Sequence, residues 1–385
     1  QPVPYCPAGW WVTQFQSPPS QALEHHMGHF YIQDAASMLP VELFDFAGLE
    51  SPLILDLAAS PGGKTTHLIS RAADRGLTIA NDSSLDRIQA LRIVLQNWGA
   101  LTSAVAHYPG EKFGAWYPET FDRVLLDAPC SMQGLRSTEA HPMRPITARE
   151  QQALARRQLR LLQSAFQAVK VGGQVVYSTC TLAPEEDEGV LQALLDLYPG
   201  AVQLDDLTPY LPAPAPALAE YAGLPYHPAV PRAARLWPHI YGTAGFFAAR
   251  LTKLAPIAGP TESPPFRPLD KVGLASMLNR DRHALSTQLE RLYGINLLEW
   301  LETNALQLWQ RLDKVYAFPL AFINRFSTLP VQAAGMLLGE HSPEGGFIPS
   351  HESVSRCAGC FTAGRLILPA EQLPNWLRGE DIQGK

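Results

Sequence analysis

Between residues 53 and 251 short β-rich runs alternate with helix-like segments, and no other feature of the chain restricts its fold as strongly. Residues 53–58, 77–82, 103–107, 121–127, 173–179 and 245–251 read as strands, and 64–75, 85–98, 147–169 and 186–198 carry apolar residues at helical spacing. Such alternation predicts an α/β fold, a parallel sheet covered by helices on both faces. Proline then punctuates the chain. Residues 209–216 are Pro/Ala-rich, and 256–268 collect five prolines, a linker composition. The expected organisation is a sheet domain over 51–255, a linker over 256–268 and an α+β domain over 269–385. In the last, 269–312 reads as helical and 315–385 as short strands between Gly and Pro turns. Residues 1–50, with Trp10, Trp11, Phe15 and a helix-like run over 34–44, are expected to pack on the sheet domain.

At 385 residues, 46% hydrophobic and 17% charged, the chain has the make-up of a globular protein of two or three domains, not of a disordered or collagen-like one. Its longest apolar runs, 53–59, 171–177 and 245–251, are far shorter than the roughly 20 residues of a membrane span, and no signal-like segment opens the sequence. A cytoplasmic protein is expected, monomeric by default. Five cysteines are too few for a disulfide framework and are read as thiols. A net charge of −6 argues against indiscriminate coating of nucleic acid but leaves room for a local basic groove. Since the sequence begins at Gln1, a truncated N-terminus is expected.

Four segments carry chemistry. The first is the strand over 53–57 that runs into Ala58, Ala59, Ser60, Pro61, Gly62, Gly63 and Lys64, a small-residue turn at the carboxyl end of a strand. Such a turn lets backbone approach a nucleotide-like ligand and points helix N–H groups at it. Gly63-Lys64-Thr65 also has the look of a phosphate-binding loop, although Ala58 stands where that motif needs glycine. The second is Asn81-Asp82, where a carboxylate ending the next strand can accept both ribose hydroxyls of an adenosine, with Arg87 on the helix that follows. The third and fourth are the strand ends Asp127-Ala128-Pro129-Cys130 and Ser178-Thr179-Cys180, which deliver an acid and two thiols to one edge of the sheet.

Those groups suit methyl transfer to C5 of cytosine. C5 is a poor nucleophile, so a thiolate must first add at C6, and a carboxyl group at N3 and the exocyclic amine assists that addition. Asp127 stands in the position for this role, and the base must leave its stack to reach the thiol. The chain resembles the Nol/Nop/Sun family of RNA cytosine-5 methyltransferases, and within it the bacterial small-subunit ribosomal RNA branch. The resemblance rests on 31–38, 56–65, 127–131, 178–181 with the acidic run 185–188, and 245–247. It implies a class I, Rossmann-like methyltransferase domain that uses S-adenosyl-L-methionine, followed by a PUA-like RNA-binding domain. It further implies that Cys180 is the nucleophile and that Cys130 assists product release. Lys64 and the turn before it would then lie on the cofactor and active site, Asp82 would hold the ribose, and Asp127 would serve both cofactor and catalysis. In DNA cytosine-5 methyltransferases the Pro-Cys thiol attacks instead.

Two departures from the family pattern stand out. Pro109 occupies the place of an adenine-binding acid, and Ser131 that of a glycine after Cys130. For RNA contact, Arg144 and Arg235 are the expected basic residues, whereas Arg149, Arg156, Arg157 and Arg160 read as a solvated helix face. No metal is required: Cys357-Ala358-Gly359-Cys360 lacks a second ligand pair at zinc spacing. Transfer RNA stays open beside 16S ribosomal RNA as the substrate. A phosphate-loop ATPase and a non-catalytic RNA-binding scaffold are the rival classes, the first opposed by Ala58 and the paired thiols, the second by the intact set Lys64, Asp127, Cys130 and Cys180.

Overall fold

The computed structural model describes residues 1–135, 145–365 and 367–380. At its centre five parallel strands, β1 (Leu53–Asp56), β2 (Leu77–Asn81), β3 (Ser103–Ala106), β4 (Phe121–Asp127) and β5 (Val169–Thr179), lie in the order β5-β4-β1-β2-β3. β1, β2 and β3 are buried along their whole length, which is why they read as unbroken apolar runs. Four helices connect or follow them: α1 (Gly63–Arg71), α2 (Leu85–Trp98), α3 (Ala148–Ala168) and α4 (Glu188–Leu197). α3 opens with a reciprocal capping box between Thr147 and Glu150, and α2 stops at Gly99, whose φ of 63° suits a residue without Cβ.

The sheet is mixed at both edges. Beside β5 runs an antiparallel strand, flanked in turn by two more; in chain order these are β6 (Val202–Leu204), β7 (Ala234–Leu236) and β8 (Phe246–Lys253), with β8 against β5 and both β6 and β7 against β8. The run 245–251, expected within the parallel sheet, thus returns antiparallel, Phe247 opposite Thr179. Residues from the N-terminal segment, including Leu39, Val41 and Leu43, cover the sheet face that carries Ile54, Leu125, Val176 and Ala248. On the opposite face α3 and α4 pack over Leu55, Val124, Leu126 and Val175.

The C-terminal body has its own five-stranded antiparallel sheet. It comprises β9 (Ala275–Ser276), α5 (Asn279–Tyr293), α6 (Leu297–Thr303), β10 (Leu306–Arg311), β11 (Lys314–Pro319), α7 (Leu320–Phe326), β12 (Ala333–Ala334), β13 (Met336–His341), β14 (Phe347–Pro349) and α8 (His351–Cys357), with sheet order β9-β10-β11-β13-β14. β10 lies in a stretch that reads as helical from sequence. Its period-two pattern, Leu306 and Leu308 inward and Gln307 and Trp309 less buried, is too short to stand out beside the longer apolar spacing of α5 and α6.

Between the two bodies, the proline-rich run is fastened to the sheet domain. Gln167 donates to the Pro260 carbonyl at 2.7 Å, Glu262 N–H donates to Ala115 at 2.9 Å, and Lys112 pairs with the Glu262 carboxylate at 2.8 Å. β12 leaves the C-terminal body to pair with β3, Ala333 opposite Val105. Phe318, Phe322 and Phe326 join the core of the sheet domain, with Phe326 stacked on Phe121 at 5.8 Å between ring centroids. The bodies therefore share part of their hydrophobic core, while the C-terminal body keeps a second cluster of its own. Phe326→Ala is expected to cost about 3–5 kcal/mol and to lower the urea midpoint of a single unfolding transition; separate melting of the C-terminal body would contradict the shared core.

Candidate active site

Where the strand order reverses, between β1 and β4, a crevice opens at the carboxyl ends of the strands, the place where open α/β sheets bind ligands. Asp56 ends β1 and Asp127 ends β4, and β4 and β5 are in register so that Asp127 lies beside Ser178. A cleft of about 220 Å³ is walled by Ala58, Ala59, Ser60, Pro61, Gly63, Lys64 and Asp127, with Tyr31 and Gln33 of the N-terminal segment on the other side. A Cβ on Gly63 would sit 2.4 Å from the Tyr31 ring, so the turn closes on that segment only because the residue is glycine.

The turn is held from behind. Asp82, 2% exposed, accepts from the backbone N–H groups of Ser60 (3.3 Å) and Ser84 (2.9 Å), and Arg87 donates to the Ser60 carbonyl at 2.7 Å. Both side chains thus shape the turn that forms the cleft wall, and Gly62 enters it with φ at 118°. Asp56 is fully buried and accepts from the Thr65 hydroxyl at 2.7 Å, while its second oxygen has no partner. Burial pushes its carboxyl up to about 7, partly offset by Thr65 and raised further by Asp127. An unpartnered buried acceptor beside a glycine cradle fits a ligand that brings a cationic donor, as the amino acid end of S-adenosyl-L-methionine does.

Lys64, at the start of α1, reaches Asp127 at 2.7 Å, and Ser178 donates to the other Asp127 oxygen at 2.7 Å. Burial opposes the Lys64 charge, but Asp127 outweighs it, and the ammonium is held above its ordinary range. Beyond these strands the two thiols meet, with Cys130 Sγ and Cys180 Sγ 3.2 Å apart. Hydrogen bonds between the loops bring them together: Gly134 N–H donates to the Cys180 carbonyl at 3.0 Å, and Gly245 N–H donates to the Gly134 carbonyl at 2.7 Å. A Cβ on Gly134 would lie 2.3 Å from the Gly245 oxygen, so this junction also requires glycine.

The pair is electrostatically unequal. The hydrogen bond from Cys130 lowers the Cys180 thiol below its ordinary value despite burial, and Lys64 nearby pulls the same way. Bonding to Cys180 and burial push Cys130 well above its own. The opposite shifts favour ionisation of Cys180 over Cys130.

The acidic run after Cys180 is buried beneath the site. Glu186 accepts from the Ser131 N–H at 3.0 Å and from Gln158 at 2.9 Å, and Gln158 also donates to the Pro129 carbonyl at 3.0 Å, so both residues flanking Cys130 are held. Thr179 donates to Asp187 at 2.6 Å. Sequence reasoning did not single out Ser178, Gln158 or Glu186 as site residues. Acids ahead of a helix suggest a solvated cap, and only their adjacency to Thr179-Cys180 hinted otherwise.

The expectation that Arg235 meets RNA is corrected. The residue is 1% exposed, with its guanidinium bidentate on Glu188 (2.9 and 2.6 Å) and bound to the Leu182 carbonyl at 2.8 Å. It neutralises buried carboxylates and has no free face for a phosphate. Arg144 lies outside the described residues. Arg149, Arg156 and Arg160 are exposed on α3. Among the described residues no helix is long and apolar enough to cross a membrane.

Residues 47–252 match the sequence profile of the family described as 16S rRNA methyltransferase RsmB/F. The chain belongs to this family. Ribosomal RNA small subunit methyltransferase F of Cronobacter sakazakii is 35% identical over 390 residues, 99% of this chain and 76% of that protein, and the Vibrio cholerae protein of the same name is 32% identical over 384 residues, covering 99% and 77%. Among solved structures, a methyltransferase homologue from Pyrococcus horikoshii covers 66% of this chain and 78% of its own at 32% identity and a TM-score of 0.58. NSun6 from the same organism, crystallised with SFG, covers 62% and 57% at 28% identity and a TM-score of 0.52. Membership makes this RsmB/F chain an S-adenosyl-L-methionine-dependent methyltransferase with the Rossmann-like fold.

Two outcomes follow for this RsmB/F site. Arg235→Met leaves Glu188 and Asp187 without a cation and should cost about 3–5 kcal/mol in urea denaturation, with the salt dependence of RNA binding unchanged. In pH-resolved alkylation, Cys180 should label with a midpoint below that of an ordinary thiol and Cys130 above it. Cys130→Ala removes the S–H donor and Lys64→Met the cation, so each should move the Cys180 midpoint to higher pH; an unmoved midpoint would contradict the coupling.

Proposed function

We propose that this enzyme methylates C5 of cytosine in small-subunit ribosomal RNA through a covalent bond between Cys180 and C6. The observation that carries the reading is the 3.2 Å thiol pair, one sulfur poised to ionise and the other protonated, beside the Lys64–Asp127 pair at the cofactor cleft. Relatives named as small-subunit ribosomal RNA methyltransferases point to the substrate.

Bound S-adenosyl-L-methionine supplies an electrophilic methyl group. The chain supplies the rest. The Cys180 thiolate forms a bond to C6, and the pair of electrons displaced from the C5–C6 double bond makes C5 nucleophilic. Asp127, 29% exposed and oriented by Lys64 and Ser178, faces the open side of the cleft, where it can hydrogen-bond the ring edge as negative charge develops there. After C5 gains the methyl group, water at the open side of the cleft takes its proton, the C5–H electron pair re-forms the double bond, and the C6–S bond breaks with its electron pair returning to Cys180. Cys130, within reach of that sulfur, assists release. The C-terminal body, anchored on β3 through β12, serves as an RNA-binding platform fixed relative to the site.

Cys180→Ala should form no covalent adduct with methylatable RNA, whereas Cys130→Ala should accumulate one, visible as a retarded band on a denaturing gel; the reverse pattern would exchange the two roles. Mapping 5-methylcytosine in ribosomal and transfer RNA from cells with and without the gene should show the loss confined to 16S rRNA, and a loss in transfer RNA alone would move the substrate assignment.

A further inference from the structure

Away from the thiol pair, three metal-ligating side chains of different kinds converge under the N-terminal segment. Cys6 comes from the strand Cys6–Trp10, Glu42 from the helix Leu39–Glu42, and His67 from α1. Cys6 and Glu42 are 2% and 9% exposed, and the His67 side chain is 10% exposed. Their ligand atoms form a small triangle: Glu42 Oε1 lies 2.8 Å from His67 Nε2 and 3.4 Å from Cys6 Sγ, and Sγ lies 3.9 Å from Nε2. Ions of the zinc class hold thiolate, imidazole and carboxylate at about 2.0–2.3 Å in tetrahedral geometry, which sets neighbouring ligands about 3.3–3.6 Å apart. The observed edges straddle that range, so shifts of a few tenths of an ångström seat an ion against all three.

We infer that Cys6, Glu42 and His67 form a binding site for a divalent transition-metal ion of the zinc class, with water as fourth ligand. The donor set is selective by chemistry. A thiolate and an imidazole disfavour magnesium and calcium, which take oxygen ligands, and suit zinc or cobalt. Thiolate and carboxylate together neutralise the ion's two charges. Glu42 has an outer support as well, its second oxygen 3.4 Å from Arg71 Nε, leaving Oε1 for the ion. The site joins segments distant in sequence. His67 is one turn beyond Lys64 on α1, so an ion would tie the strand Cys6–Trp10 and the helix Leu39–Glu42, which flank the segment of Tyr31 and Gln33 in sequence, to the helix whose start lines the cleft. Its role is a staple for that wall of the cleft, not a reaction centre.

Cobalt(II) titrated into the chelator-treated full-length protein tests this, because a cobalt–thiolate bond gives an intense near-ultraviolet band and tetrahedral coordination gives strong visible bands. One equivalent should produce both, zinc should displace it, and zinc should raise the melting temperature. The Cys130–Cys180 pair is a competing soft site. The bands must therefore persist in Cys130→Ser/Cys180→Ser protein, disappear in Cys6→Ser, and weaken in Arg71→Ala by about tenfold in affinity. His67→Gln provides a second, independent loss should Cys6→Ser fail to fold. Absence of the bands from the wild type, their survival in Cys6→Ser or His67→Gln, or their loss with the Cys130/Cys180 pair would each overturn the site.

Discussion

Parallel strands all finish at one edge of their sheet, and where the strand order reverses the connections leave in opposite directions, so the edge there cannot be covered. In this protein the reversal falls between β1 and β4. Every group proposed to bear on the chemistry descends from that constraint. The glycine turn and Lys64 follow β1, Asp127 ends β4 with Cys130 just beyond it, and Cys180 follows β5, the next strand over. The loops need only modest length to bring these side chains together, because the backbone has already delivered them to the ends of three neighbouring strands.

What converts proximity into chemistry is the unequal treatment of similar groups. Two thiols in contact resist ionising together, and the hydrogen bond from Cys130, with a smaller pull from Lys64, favours Cys180 as the one that does. Carboxylates are separated in the same way. Asp127 is exposed enough to meet a ligand and is held by Lys64 and Ser178. Asp56 lies fully buried with a free oxygen, and Glu186 and Glu188 are wholly interior, one holding the backbone around Cys130 and the other neutralised by Arg235. Removing a partner from such interior charges is costly, because water cannot replace it. The floor of the site is accordingly rigid, while its open side, toward Tyr31 and Gln33, belongs to a segment joined to the sheet by packing and by the Cys6–Glu42–His67 cluster.

The C-terminal body shows a comparable economy of design. Its proline-rich approach lies along the sheet domain, and three phenylalanines and the two-residue strand β12 fuse it to the central sheet. Whatever binds that body is held at a fixed orientation to the cleft, since reorienting it would expose Phe322 and Phe326, each at most 1% exposed.

Local patterning determined much of this in advance. Alternating β and helical periodicity announced the sheet, the turn from Ala58 to Gly63 announced a wall of the cleft, and thiols at the ends of two strands announced the sulfur pair that meets there, because each signal lies within a few consecutive residues. Other features depend on groups far apart in the chain, and those only the tertiary structure decided. Arg235 looked like an RNA contact until Glu188, 47 positions away, enclosed it. The antiparallel return of β8 and the strand β12 depend on which edge was left open once the parallel strands had paired. Cys6, Glu42 and His67 share no spacing motif and meet only because the N-terminal segment folds over α1. Periodicity and strand-end chemistry are carried by short-range geometry, whereas burial, and with it the charge state and availability of a side chain, is set by whatever the rest of the chain packs against it.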